Sequence, residues 1–126
     1  MFSIEILDEA EYHSTMAKLA VTLADLLAIA DHIGLPQPRY ATVSASGHGY
    51  ISLQFPPAMS SVDAILLWAS TYCAPMRSET HEGKTGPEMW PGTQFDLDGV
   101  TVDLYACIPV PEAEPITSTE QTATPF

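Results

Sequence analysis

Gly83-Lys84-Thr85 carries the residue types that close a phosphate-binding loop, in which backbone N–H groups cradle phosphates and the lysine meets their charge. That loop needs another glycine five positions earlier, and Ser78 stands there. No apolar strand leads into the segment and no helical period follows it, so a solvated loop is expected. Asp96-Leu97-Asp98-Gly99 resembles the start of a calcium loop, but the place of the closing bidentate glutamate falls on Cys107. A hairpin turn with surface acids is the reading that remains. His13, His32, His48 and His81, with Cys73 and Cys107, are metal-ligand types, yet none stands in Cys-x-x-Cys or His-x-x-x-His spacing. His32 falls at a helix C-terminus, where the dipole favours a cation. Cys73 closes a helix and is expected to be a buried small hydrophobe. Cys107 lies off the apolar parity of its strand and is expected at the surface. No Gly-x-Ser-x-Gly elbow occurs, and no two acids are pinned across a cleft. The chain is therefore expected to be non-catalytic, with no cofactor and no metal.

Recognition is the chemistry left. Trp90 sits in Pro87-Glu88-Met89-Trp90-Pro91-Gly92, a loop between prolines. It either pins that loop to the core or, with Met89, anchors a partner, since both types are enriched at interface hot spots. Tyr50 and Tyr105 lie off the apolar parity of their strands and are expected to project from an uncovered sheet face. Such a face suits a protein partner or a homodimer interface. A second candidate surface is the N-terminal acidic cluster Glu5, Asp8, Glu9 and Glu11.

Charge narrows the partner. The 126 residues hold 16 Asp+Glu against 4 Lys+Arg, a formal net charge of -12. Total charged content is only 16%, so the acidity comes from missing bases more than from added acids. Four cations cannot neutralise many phosphates, which disfavours direct binding of nucleic acid or of an anionic membrane. A basic protein partner is expected; mimicry of nucleic acid, inhibiting a DNA-binding defence or regulatory protein, is the alternative. The N-terminus has no basic start and the most apolar run, 19–33, contains Asp25 and Asp31, so neither a signal peptide nor a membrane span is expected. The cytoplasm is the expected compartment, with Cys73 and Cys107 reduced. Absent Asn, scarce Lys and abundant Ala suggest a GC-rich coding genome.

These residues must be positioned by a small set of elements. Phe2, Ile4 and Ile6 alternate as a short strand would. Asp8 and Glu11 read as a capping pair for a helix over 9–33, whose stripe is Tyr12, Met16, Leu19, Leu23, Leu26, Ala30 and Ile33, with Gly34 as its cap. Ala41, Val43, Ala45 and Ile51, Leu53, Phe55 flank Ser46-Gly47-His48-Gly49 as a hairpin. Ser60 or Ser61 is expected to cap a second helix with Val62, Ile65, Leu66, Ala69 and Tyr72 on its stripe and Trp68 in the core. Residues 76–81 read as a short edge strand and 82–92 as a loop. Phe95 and Leu97 lead through Asp98-Gly99 into Val100, Val102, Leu104, Ala106 and Ile108. Residues 109–126 hold four prolines and three glutamates with no base; they are expected to be an extended or disordered tail. Residues 1–108 then form one domain.

The predicted fold is α+β: a two-layer sandwich, two helices on one face of a mainly antiparallel four- to five-stranded sheet, in the order α-β-β-α-β-β. The phrases Leu23-Ala24-Asp25-Leu26-Leu27, Leu67-Trp68-Ala69 and Asp98-Gly99-Val100-Thr101-Val102, with the Leu53 strand, resemble small uncharacterised accessory proteins of actinobacteria and actinobacteriophages over about residues 20–108. The resemblance implies that fold and a phage or mobile-element setting, and carries over no catalytic residue.

Overall fold

The computed structural model describes residues 9–110. The elements are α1 (Glu9–Ile33), β1 (Tyr40–Ser44), β2 (Tyr50–Gln54), α2 (Ser60–Thr71), β3 (Met76–Gly83), β4 (Gly86–Leu97), β5 (Val100–Tyr105) and β6 (Ile108–Pro109). The expected strand over 2–6, the capping role of Asp8 and the tail lie wholly or largely outside the described residues.

The fold is α+β, with two helices and a mostly antiparallel six-stranded sheet of order β1-β2-β5-β4-β3, β6 pairing with β4. Two corrections to the expected sheet follow. Among the described residues six strands form rather than four or five, and four of them follow α2. The central pair β2–β5 is parallel, Ile51 opposite Val102 and Leu53 opposite Leu104. Parallel neighbours need a crossover, and α2 with β3 and β4 supplies it.

The largest departure is the segment 82–92. It is not a loop but most of a long hairpin, β3 against β4 from Met76–Thr93 to Gly83–Gly86. Lys84 and Thr85 are its turn. Proline normally excludes an interior strand because it donates nothing to the ladder. Here Pro87 and Pro91 use only their carbonyls on the β5–β6 side, accepting from Val110 N (3.0 Å) and Ala106 N (3.2 Å). Pro91 falls in the gap between the β5 and β6 ladders, and Pro87 lies beyond the β6 ladder. Neither nitrogen faces a strand that would need its proton.

The core takes alternate strand positions and one stripe of each helix. Ile51, Leu53, Val100, Val102 and Leu104 are fully buried with Leu19, Leu26, Ile65 and Trp68. Trp68 donates Nε1–H to the Pro36 carbonyl (2.7 Å), which satisfies its one polar atom inside the core. Its ring continues an aromatic row through Tyr72 to Phe95, the last two stacked 4.3 Å apart.

Both helices end alike. A left-handed residue follows each, with a six-to-one bond from the next N–H: Gly34 with Leu35 N to Ala30 O (2.8 Å), Cys73 with Ala74 N to Ala69 O (2.8 Å). Cys73 is therefore exposed, not buried as expected, because its place in the cap turns it outward. The α2 N-cap is also corrected. It is Met59 without a side-chain bond; Ser61 is buried and its Oγ donates to the Pro56 carbonyl instead (2.6 Å).

Candidate functional site

The strand positions opposite the core parity share the other face of the sheet. Across it run Tyr50 and Ser52 of β2, Asp103 and Tyr105 of β5, Trp90 of β4, and Arg77 and Glu79 of β3. These seven residues line one hollow of about 360 Å³. Among the described residues no helix lies over it.

Gly92 makes the hollow. It stands between Tyr105 on β5 and Arg77 on β3. A Cβ there would come 2.9 Å from an Arg77 guanidinium nitrogen and 2.7 Å from the Leu104 carbonyl oxygen. With only hydrogen at that place, the Arg77 side chain crosses β4 and donates from Nη2 to Asp103 Oδ1 (2.7 Å). The Asp103 side chain is 12% exposed and that of Arg77 39%, so the pair forms a partly covered floor. A charged bond of this length with one partner nearly buried is worth more than a surface pair. Tyr50 completes it. Its hydroxyl is raised above the ordinary phenol range, first by burial, then by the Asp103 charge and the hydrogen bond with that carboxylate.

The walls are aromatic. Trp90 and Tyr105 lie nearly parallel, centroids 6.0 Å apart and planes 18° from each other. His81 tilts against Trp90 at 4.8 Å. Trp90 Nε1–H donates to Glu88 Oε1 (3.1 Å), His81 Nε2 is 2.9 Å from Glu79 Oε1, and the Tyr105 hydroxyl donates to Gln54 Oε1 (3.3 Å). Each polar handle of the rings is thus tied to a neighbouring strand or residue.

Of the expected partner-binding residues, Tyr50, Trp90 and Tyr105 come together here. Met89 does not. It pairs with Ile108 and packs against the core, because one residue of strand register sends it to the opposite face from Trp90. Trp90 sits on a strand, not in a loop. Glu9 and Glu11 are exposed in the first turn of α1, which packs on the other face, and Glu9 lies 3.7 Å from His13 Nε2. Glu5 and Asp8 lie outside the described residues. Sequence reading missed Arg77, Glu79, Gly92 and Asp103. The alternation of Thr101, Asp103 and Tyr105 carried a signal for Asp103; reading 82–92 as a loop hid the partner strand of Arg77.

Cys107, half-buried next to this face, has its thiol pushed up by burial and by the Glu88 charge, which keeps it protonated and a poor nucleophile. Among the described residues no group of three His, Cys, Asp or Glu could hold a metal ion, and no helix is long and apolar enough to cross a membrane. Comparison with family models, curated proteins and solved structures finds no match.

Proposed function

We propose that the chain is a non-catalytic binding module that docks a protein partner on the uncovered face of its sheet. The observation that carries this is the grouping of Tyr50, Trp90 and Tyr105, from three strands, around a hollow floored by one ion pair. Aromatic side chains with tied polar ends lose little conformational freedom on contact and dominate hot spots. The fold fits as a two-layer sandwich: one layer of helices guards the core, and the sheet's other face is left for recognition. A formal charge of -12 makes the expected partner basic, and it disfavours a second copy, whose like-charged face would repel. The described acids are spread over α1, α2 and the strands β3 to β5, which supports a docking surface over a phosphate-like row. Free Cys73 and Cys107 suit a reducing cytoplasm, and a phage or mobile-element origin remains part of the proposal.

The test is affinity capture from the native host with three baits: the wild-type chain, Trp90→Ala and the helix-face variant Lys18→Glu. A partner held by wild type and Lys18→Glu but lost with Trp90→Ala supports docking on the sheet face. A partner that ignores Trp90→Ala overturns it.

A further inference from the structure

We propose that the hollow over Gly92 receives an arginine side chain of the partner, a reading that rests on sheet-face docking and names its chemistry. Charge is the first argument. Arg77 is the only base in the lining and is already matched by Asp103. Glu79 in the wall has the His81 imidazole beside it and Glu88 the indole N–H of Trp90, and neither is matched by an arginine or lysine of the lining. The hollow is therefore short of one positive charge, within a chain of net charge -12.

Ring chemistry is the second argument. A cation is drawn to the electron-rich face of an aromatic ring, most strongly to indole. The Trp90 N–H is donated to the Glu88 carboxylate, which pushes electron density into the ring and strengthens that face. Tyr105, nearly parallel to it, adds a second ring to the wall.

Geometry decides between guanidinium and ammonium. A guanidinium is flat and weakly hydrated, and its donors all lie in its own plane. Lying against the aromatic wall it directs those donors sideways, where Glu79 accepts them. The ammonium of lysine has no flat face to stack and loses more hydration on entry. An anion meets Glu79 and the net charge.

The test uses the isotope-labelled full chain and the Nε1–H signal of Trp90 in NMR, assigned by its loss in Trp90→Phe and read against that of Trp68. Argininamide, lysinamide, citrullinamide and methyl glucoside are titrated separately at constant ionic strength. Argininamide is expected to shift the Trp90 signal saturably and to bind about tenfold more tightly than citrullinamide, which keeps the shape without the charge. Glu79→Gln, a surface change that preserves the fold, should weaken argininamide by about threefold. Citrullinamide or methyl glucoside binding as well as argininamide overturns the proposal, as does a Trp90 signal that argininamide leaves unmoved. The two readings fail separately. A captured partner that needs Trp90, with citrullinamide equal to argininamide, leaves docking standing and removes the arginine. A captured partner indifferent to Trp90 removes docking whatever argininamide does.

Discussion

Gly92 and Arg77 act as one device. A side chain at 92 and a guanidinium over it cannot coexist, because the Cβ would also press on the Leu104 carbonyl at 2.7 Å. Gly92→Ala should destabilise by about 1–3 kcal/mol through overpacking and should loosen the Arg77–Asp103 pair; urea unfolding and the Trp90 indole signal read both. Arg77→Met should cost about 1–3 kcal/mol, since a nearly buried carboxylate loses its charged donor and retains only Tyr50. If urea unfolding shows Arg77→Met as stable as wild type, water has taken the guanidinium's place. Tyr50 sets a pH dependence with a definite sign. Its folded pKa is raised, so the folded state holds the proton after the unfolded state has begun to lose it. The contribution is whole below the ordinary phenol value of about 10 and is lost as pH rises through the folded value. Burial raises Tyr72 as well, and it acts in the same direction. Unfolding midpoints should therefore fall between pH 10 and 12, and less steeply in Tyr50→Phe; equal slopes would mean that Tyr50 does not set this dependence. At this scale strand parity was enough to find Tyr50 and Tyr105. It could not find Arg77, because a cross-strand pair depends on register, and nothing local to Met76–Gly83 specifies which residue of β4 it faces.

Turns and caps decide how well each element was read. The helix over 9–33 and its Gly34 cap appear where the period of three and four placed them. The Asp98-Gly99 turn does too, with φ 52° and 82°, both left-handed as a type I′ turn needs. Gly99→Val should cost about 1–3 kcal/mol by strain; an unchanged melting temperature would mean the turn adapts. Cys73 holds the same left-handed place after α2 that Gly34 holds after α1, at φ 54° and with a Cβ that opposes it. Cys73→Gly should stabilise by about 0.5–1 kcal/mol, the left-handed strain relieved less the added freedom of the unfolded chain. A lower unfolding midpoint would show that the thiol makes a contact worth more than the strain. The segment 82–92 misled because Gly86, Pro87, Pro91 and Gly92 are loop residues by local preference. They are tolerated in β4 for long-range reasons: the prolines face gaps in the next ladder, and Gly92 opens a path for Arg77. Local preference carries no trace of either.

The whole molecule's charge governs encounter more than residence. If a basic partner docks on the sheet face, its association rate should fall steeply as salt shortens the screening length from about 10 Å at 0.1 M to about 3 Å at 1 M. Dissociation should change less, since rim charges act on approach. Trp90→Ala should instead speed dissociation at every salt concentration, by the loss of an anchor worth about 2 kcal/mol or more. Surface plasmon resonance at stepped salt separates the two, and association indifferent to salt would remove the electrostatic argument. The fold class was legible because amphipathic periods survive in any context; the parallel centre was not, because strand order is a property of the assembled sheet. That centre has a kinetic consequence. β3, β4 and β5 are joined by short turns and can form a meander from local contacts, whereas β2 meets β5 across 51 positions, as at Gln54 and Tyr105. Closing so long a stretch of chain costs entropy before any contact repays it. The seam between the halves should therefore close last. Because Tyr50 and Ser52 come from one half and Arg77, Glu79, Trp90, Asp103 and Tyr105 from the other, a half-folded chain carries the rings without a complete pocket, and it gains its grip on a partner only in the step that finishes folding.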